Sequence, residues 1–120
     1  MASSSAVKRA LSGGAYGVGI EIAQTSTAGT TIHTAVNATA DGSYDEIWLW
    51  AQNNHSADVQ ITIEFSGADH AQNIIVTLPY RGGLVPILPG LLLQNALTVK
   101  CFAAVANVVT VFGFVNRITD

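Results

Sequence analysis

The chain has 120 residues, 49% of them apolar and only 11% charged, against about 25% charged in a typical globular protein. That length fits one domain with one core. The five basic residues, Lys8, Arg9, Arg81, Lys100 and Arg117, are scattered through a chain of net charge −3, which leaves neither a basic nucleic-acid footprint nor polybasic attachment to a membrane.

In chain order, residues 1–15 are rich in Ala, Ser and Gly and read as a flexible N-terminal arm. No apolar stretch follows Lys8 and Arg9, so the arm is not a secretory signal. Residues 16–120 then show short strand candidates every eight to twelve residues, the spacing of an all-β sandwich or barrel. The first is Tyr16 to Thr25, followed by the turn STAG and a strand from Thr30 to Val36. Asp41-Gly42 signals a turn before YDEIWLWAQ. There Trp48 and Trp50 face one way while Ile47, Leu49 and Ala51 face the other, so this strand is apolar on both faces.

The next strand, DVQITIEF, alternates cleanly. Val59, Ile61, Ile63 and Phe65 are expected inside, with Asp58, Gln60, Thr62 and Glu64 in water. NIIVTLP puts Ile74, Val76 and Leu78 on one face, and YRGG makes a turn. LVPILPG carries Pro86 and Pro89, which cannot donate to a ladder, so it is an edge strand or a crossing loop. Ala96 to Ala104 and the run VVTVFGFVNRI, joined by a turn near Asn107, complete about eight strands. In the last, Val109, Val111 and Val115 share one face and Val108, Phe112 and Phe114 the other. The run Cys101 to Val115 is too short for a membrane span and rich in β-branched residues. The pattern predicts an antiparallel two-sheet β-sandwich, jelly-roll-like or immunoglobulin-like, with no membrane segment.

Little in the chain has the spacing of catalysis. A hydrolase needs a nucleophile, base and orienting acid in contact, and no G-x-S-x-G elbow occurs. His33 reads as a strand histidine facing solvent or a neighbouring chain. His55 and His70, near Asp58 and Asp69, lie in polar loops, and two loop histidines do not make the three or four converging ligands of a zinc site. Asp41, Asp45 and Glu46 lack EF-hand spacing and read as a turn. The glycines of GGAYGVG precede a strand rather than a helix, so they do not cradle phosphate. The lone Cys101 allows no intrachain disulfide; it reads as a small core residue suited to a reducing compartment. Trp48 and Trp50 read as packing residues, in the core or against another subunit, rather than as a sugar platform. No cofactor is implied. Two strands without a wet face in so small a chain point to a homo-oligomer, with the second apolar face of 47–51 or 108–115 at the interface.

Three segments carry a resemblance: DEIWLWAQNNHSADVQITIEFSGA, LPYRGGLVPILPGLLL and FAAVANVVTVFGFVNRIT. Over about Asp45 to Asp120 the chain resembles small head decoration, or cement, proteins of tailed bacteriophages. The resemblance implies a non-enzymatic virion protein, assembled in the host cytoplasm, that sits on an icosahedral shell, commonly as a trimer, with the major capsid protein as partner. No contact residue is carried over from the resemblance; the two-faced strands and the arm themselves give the expected contacts, Lys8, Arg9, Trp48, Trp50, Phe112 and Phe114, with Lys8 and Arg9 meeting an acidic patch on the shell. A phage tail or fibre module and a carbohydrate-binding β-sandwich module are the competing readings; a small hydrolase is the most distant.

Overall fold

Alternation of β-branched and aromatic residues builds nine strands in the computed structural model, which describes residues 5–119. They are β1 (Ser5–Ala10), β2 (Ile20–Glu21), β3 (Thr30–Thr34), β4 (Tyr44–Asn53), β5 (Val59–Phe65), β6 (Asn73–Leu78), β7 (Val85–Leu93), β8 (Thr98–Ala103) and β9 (Val109–Thr119). A 3-10 turn at His70–Gln72, capped by the Asp69 carboxylate accepting from the Ala71 amide, is the one helical element among the described residues. Among the described residues no helix is long and apolar enough to cross a membrane.

All strand pairs are antiparallel. One sheet runs β1-β9-β4-β7, with β2 also on β9; the other runs β3-β8-β5-β6. Four of the pairs, β2 with β9, β3 with β8, β4 with β7 and β5 with β6, nest inside one another like rungs of one long hairpin. Rolling that hairpin brings β9 onto β4 and β8 onto β5, which is the double Greek key of a jelly roll. The topology thus selects the jelly-roll form of the expected sandwich.

The core lies between the sheets. Ile47, Leu49 and Ala51 of β4 and Val109, Val111 and Val115 of β9 face Ile61 and Ile63 of β5 and Val99, Cys101 and Ala103 of β8, all buried. Leu78 is buried, and Ile74 and Val76 pack against this core as expected. The Pro-bearing segment is an edge strand, β7, at the far side of β4.

Three expectations change. The strand expected over Tyr16 to Thr25 shrinks to Ile20–Glu21, because Tyr16 and Gly17 take left-handed conformations (φ 58° and 78°) in a turn closed by the Val18 amide and the Ala15 carbonyl. Within the segment read as an arm, Ser5–Ala10 runs as β1 along the end of β9 from Ser5↔Thr119 to Ala10↔Phe114, with every residue exposed. And β5 has no fully wet face: Thr62 and Glu64 are only 7% and 2% exposed. The loop before β3 folds over Glu64, whose carboxylate accepts from Thr27 Oγ1 at 2.5 Å and from the Gly29 amide at 2.6 Å. A charge is tolerated there because both oxygens have donors.

Candidate functional site

Strand alternation sends Ile47, Leu49 and Ala51 inward, so Glu46, Trp48, Trp50 and Gln52 stand on the outer face of their sheet. On β9 the same rule sends Phe112, Phe114 and Asn116 outward. Register joins the two rows, with Trp48 opposite Phe114 and Trp50 opposite Phe112. The indoles lie 6.5 Å (Trp48) and 6.0 Å (Trp50) from the Phe114 ring, inclined by 19° and 29°, both offset stacks. On the other side of β4, Pro89 pairs with Trp48 and Pro86 with Trp50. Gly90 makes room for the Trp48 ring: a Cβ there would sit 2.7 Å from Cζ2. The result is a continuous apolar strip whose four aromatic rings are only half-buried in the single chain.

Polar groups border the strip. Trp48 Nε1 donates to Glu46 Oε1 at 2.7 Å, and Asn116 Nδ2 donates to the same oxygen at 3.0 Å. The bonds from Asn116 and then from Trp48 hold the Glu46 carboxyl below its ordinary value, against a small cost of desolvation. From β1, Lys8 Nζ lies 4.7 Å from the centre of the Phe114 ring, a cation–π contact. The structure therefore brings Lys8, Trp48, Trp50, Phe112 and Phe114 together on one face. Arg9 pairs with Val115, which points into the core, so it lies on the opposite face from Lys8 and apart from the group. Glu46, Asn116, Pro86, Pro89 and Gly90 were missed. The first two share strand parity with the aromatics, but only the register shows that they meet.

No family model, curated protein or solved structure matches the chain.

A second polar group is wholly internal. His33, expected in solvent or against a neighbouring chain, is 2% exposed. A bulge in β3 between Thr31 and His33 turns both Ile32 and His33 inward. Its Nε2 lies 2.7 Å from Asp45 Oδ2, and its Nδ1 accepts the Ser12 amide at 3.0 Å, which makes Nε2–H the donor to Asp45. Asp45, expected in a turn, is instead fully buried in β4. It also accepts from Arg117 Nε and Nη2 at 2.8 and 3.0 Å and from the Val36 amide at 3.1 Å. Burial opposes the Asp45 charge, but the hydrogen bonds from Arg117 and His33, with the positive charge of Arg117, outweigh it and hold the carboxyl below 3.8. The bond to Asp45 in turn raises Arg117, against partial desolvation.

Ser12, His33 and Asp45 are the residue types of a nucleophilic triad, but their bonds are different. The amide of Ser12, not its hydroxyl, meets the imidazole, and Ser12 Oγ accepts from the Thr34 amide at 2.7 Å. The ring's one acceptor is thereby used, and the group is a strut joining β3, β4, β9 and the segment after β1. Burial, with the charge of Glu64 adding to it, pushes the Cys101 thiol up to about 12, so it stays protonated in the core. His70, beside Asp69, is exposed at the surface, and His55 sits in the loop after β4. Among the described residues no group of three or more His, Cys, Asp or Glu could hold a metal ion. An open depression of about 310 Å³ lies at the end of β4, lined by Gln52, Asn53, Asn54, Arg81 and Gly83. Asn53 is committed to the fold there: its Nδ2 donates to the Ala57 and Leu78 carbonyls and its Oδ1 accepts from the His55 amide.

Proposed function

We propose that the chain is a non-enzymatic structural protein of a tailed-phage virion, a head decoration or cement protein that works as a homo-oligomer, most simply a trimer. The observation that carries this is the aromatic strip of Trp48, Trp50, Phe112 and Phe114, extended by Pro86 and Pro89. A contiguous apolar face on a small protein marks a surface meant for a partner, and aromatic residues are enriched where partners meet. The charge content of 11% points the same way, because a free monomer normally keeps itself soluble with a charged surface. The jelly roll is the architecture of many viral capsid domains, which adds support by fold analogy alone.

Sedimentation velocity at micromolar concentration tests self-association. The wild type is expected as a species of about three chains, and the paired substitution Trp50→Ser with Phe112→Ser as a folded 12.5 kDa monomer. Co-sedimentation with purified undecorated tailed-phage heads tests attachment. A wild type that is monomeric and ignores such heads would sink the reading. Labelled antibody on intact virions separates head from tail or fibre placement.

The half-buried state of the two indoles, beside a depression lined by Gln52, Asn54 and Arg81, also favours a carbohydrate-binding module. Jelly rolls serve lectins as well. In that case Trp50→Ala abolishes glycan binding by a monomer while its melting temperature hardly moves.

A further inference from the structure

We infer that His33 is a proton-operated latch on strand β1, and through β1 on the aromatic strip: a proton at Nδ1 expels the Ser12 amide and frees residues 5–12. The inference rests on the strip being the interaction surface proposed above.

Neutral His33 has one donor and one acceptor, and both are used. Asp45 Oδ2 takes the Nε2 proton, and the Ser12 amide donates to Nδ1. A protonated imidazole has two donors and no acceptor, so its Nδ1–H would point at another N–H across 3.0 Å. The ring cannot turn away to avoid this, because Asp45 is fixed by Arg117 and the Val36 amide and holds Nε2 in either charge state. The charged neighbours of His33 are thus Asp45 from β4 and, through it, Arg117 from β9, while on β8 the ladder partner is Val99. Burial opposes the Asp45 charge, but the bonds from Arg117 and His33 outweigh it and hold the carboxyl below its ordinary value, so Asp45 stays bonded to Nε2. The Ser12 contact is the part that gives.

What that contact holds is weak elsewhere. All six residues of β1 are exposed, and among the described residues the ladder to β9 is its only strand pairing. Among the described residues the first buried side chain is Leu11. Ser12 then ties the segment to β3 twice, through its own amide and through the Thr34 amide on Oγ. Gly13 donates to the Ile32 carbonyl at 2.9 Å and stays as the hinge. Strands with so little burial lie at the low-stability end of a fold and open first. Release of β1 removes Lys8 from Phe114 and Ala10 from the place beside it, leaving one border of the strip bare.

Hydrogen exchange between about pH 8 and about pH 5, where histidine side chains change charge, tests the latch. Protection of peptides covering residues 5–12, corrected for intrinsic rates, is expected to fall about tenfold or more, while β5 stays unchanged. In His33→Asn an amide oxygen replaces Nδ1 and cannot be protonated, so the pH dependence should vanish. Should that variant fail to fold, nitrogen NMR of wild-type His33 should show Nδ1 gaining its proton over the interval in which the Ser12 amide loses protection. Protonation of Nδ1 with Ser12 still protected, or the same opening in folded His33→Asn, would overturn the latch. Sedimentation at both pH values separates the two claims: dissociation in acid supports both, whereas a monomer at both pH values whose residues 5–12 still open keeps the latch and removes the self-association reading.

Discussion

Asp45 has no exposed surface and four donors to its two oxygens. Its pKa is lowered on folding, so its charge contributes stability above the ordinary 3.8, and that contribution is lost as the pH falls through the lower folded value. Denaturant melts should therefore show a loss below about pH 4 in the wild type that flattens in Asp45→Ala. At neutral pH that variant, which strands Arg117 and His33, should cost about 3–5 kcal/mol. Gly90 makes a smaller case: its φ of 77° and the Trp48 ring 2.7 Å from any Cβ mean that Gly90→Ala should cost about 1–3 kcal/mol and disturb tryptophan fluorescence. These residues were the least legible in the sequence. Parity within a strand tells which residues share a face, but a bulge such as that at Thr31/His33 breaks parity, and a loop folding over Glu64 buries a residue whose own strand alternates ideally. Both depend on contacts between positions far apart in the chain.

The strands themselves were mostly readable. The period of two in β4, β6 and β9 and the prolines of β7 give the inner face and the edge directly, because the physics acting there is local burial and a missing donor. β1 was not readable, since its exposed residues pair with β9 mainly through backbone and carry no alternating apolar signature, and β2 was read too long because the turn at Tyr16 and Gly17 falls within the expected strand. That difference predicts different sensitivities. Deleting residues 1–10 takes away β1, whose six residues are all exposed, and should move the melting temperature little, whereas Ile47→Ala in the centre of β4 should cost about 2–5 kcal/mol. An equal loss in both would show that β1 carries core stability that its exposure denies.

At the scale of the molecule, the nested pairs imply a timetable for folding. β5 and β6 are joined by seven residues, and each further pair encloses the last: β4 with β7, β3 with β8, β2 with β9. Closing a loop costs more entropy as it lengthens, so the ladder zips outward from the β5–β6 hairpin, and β9, which is made last, enters between β1 and β4. Until it does, β4 lacks one neighbour and its indoles have no phenylalanine to stack on, so a nascent chain shows its stickiest surface longest. Folding kinetics can read this order. Ile61→Val, in β5, should chiefly slow folding, while Ile22→Val, whose amide meets the Val109 carbonyl just beyond the outermost pair, should chiefly speed unfolding. The reverse pattern would place the nucleus at the chain ends and leave the hairpin to form late.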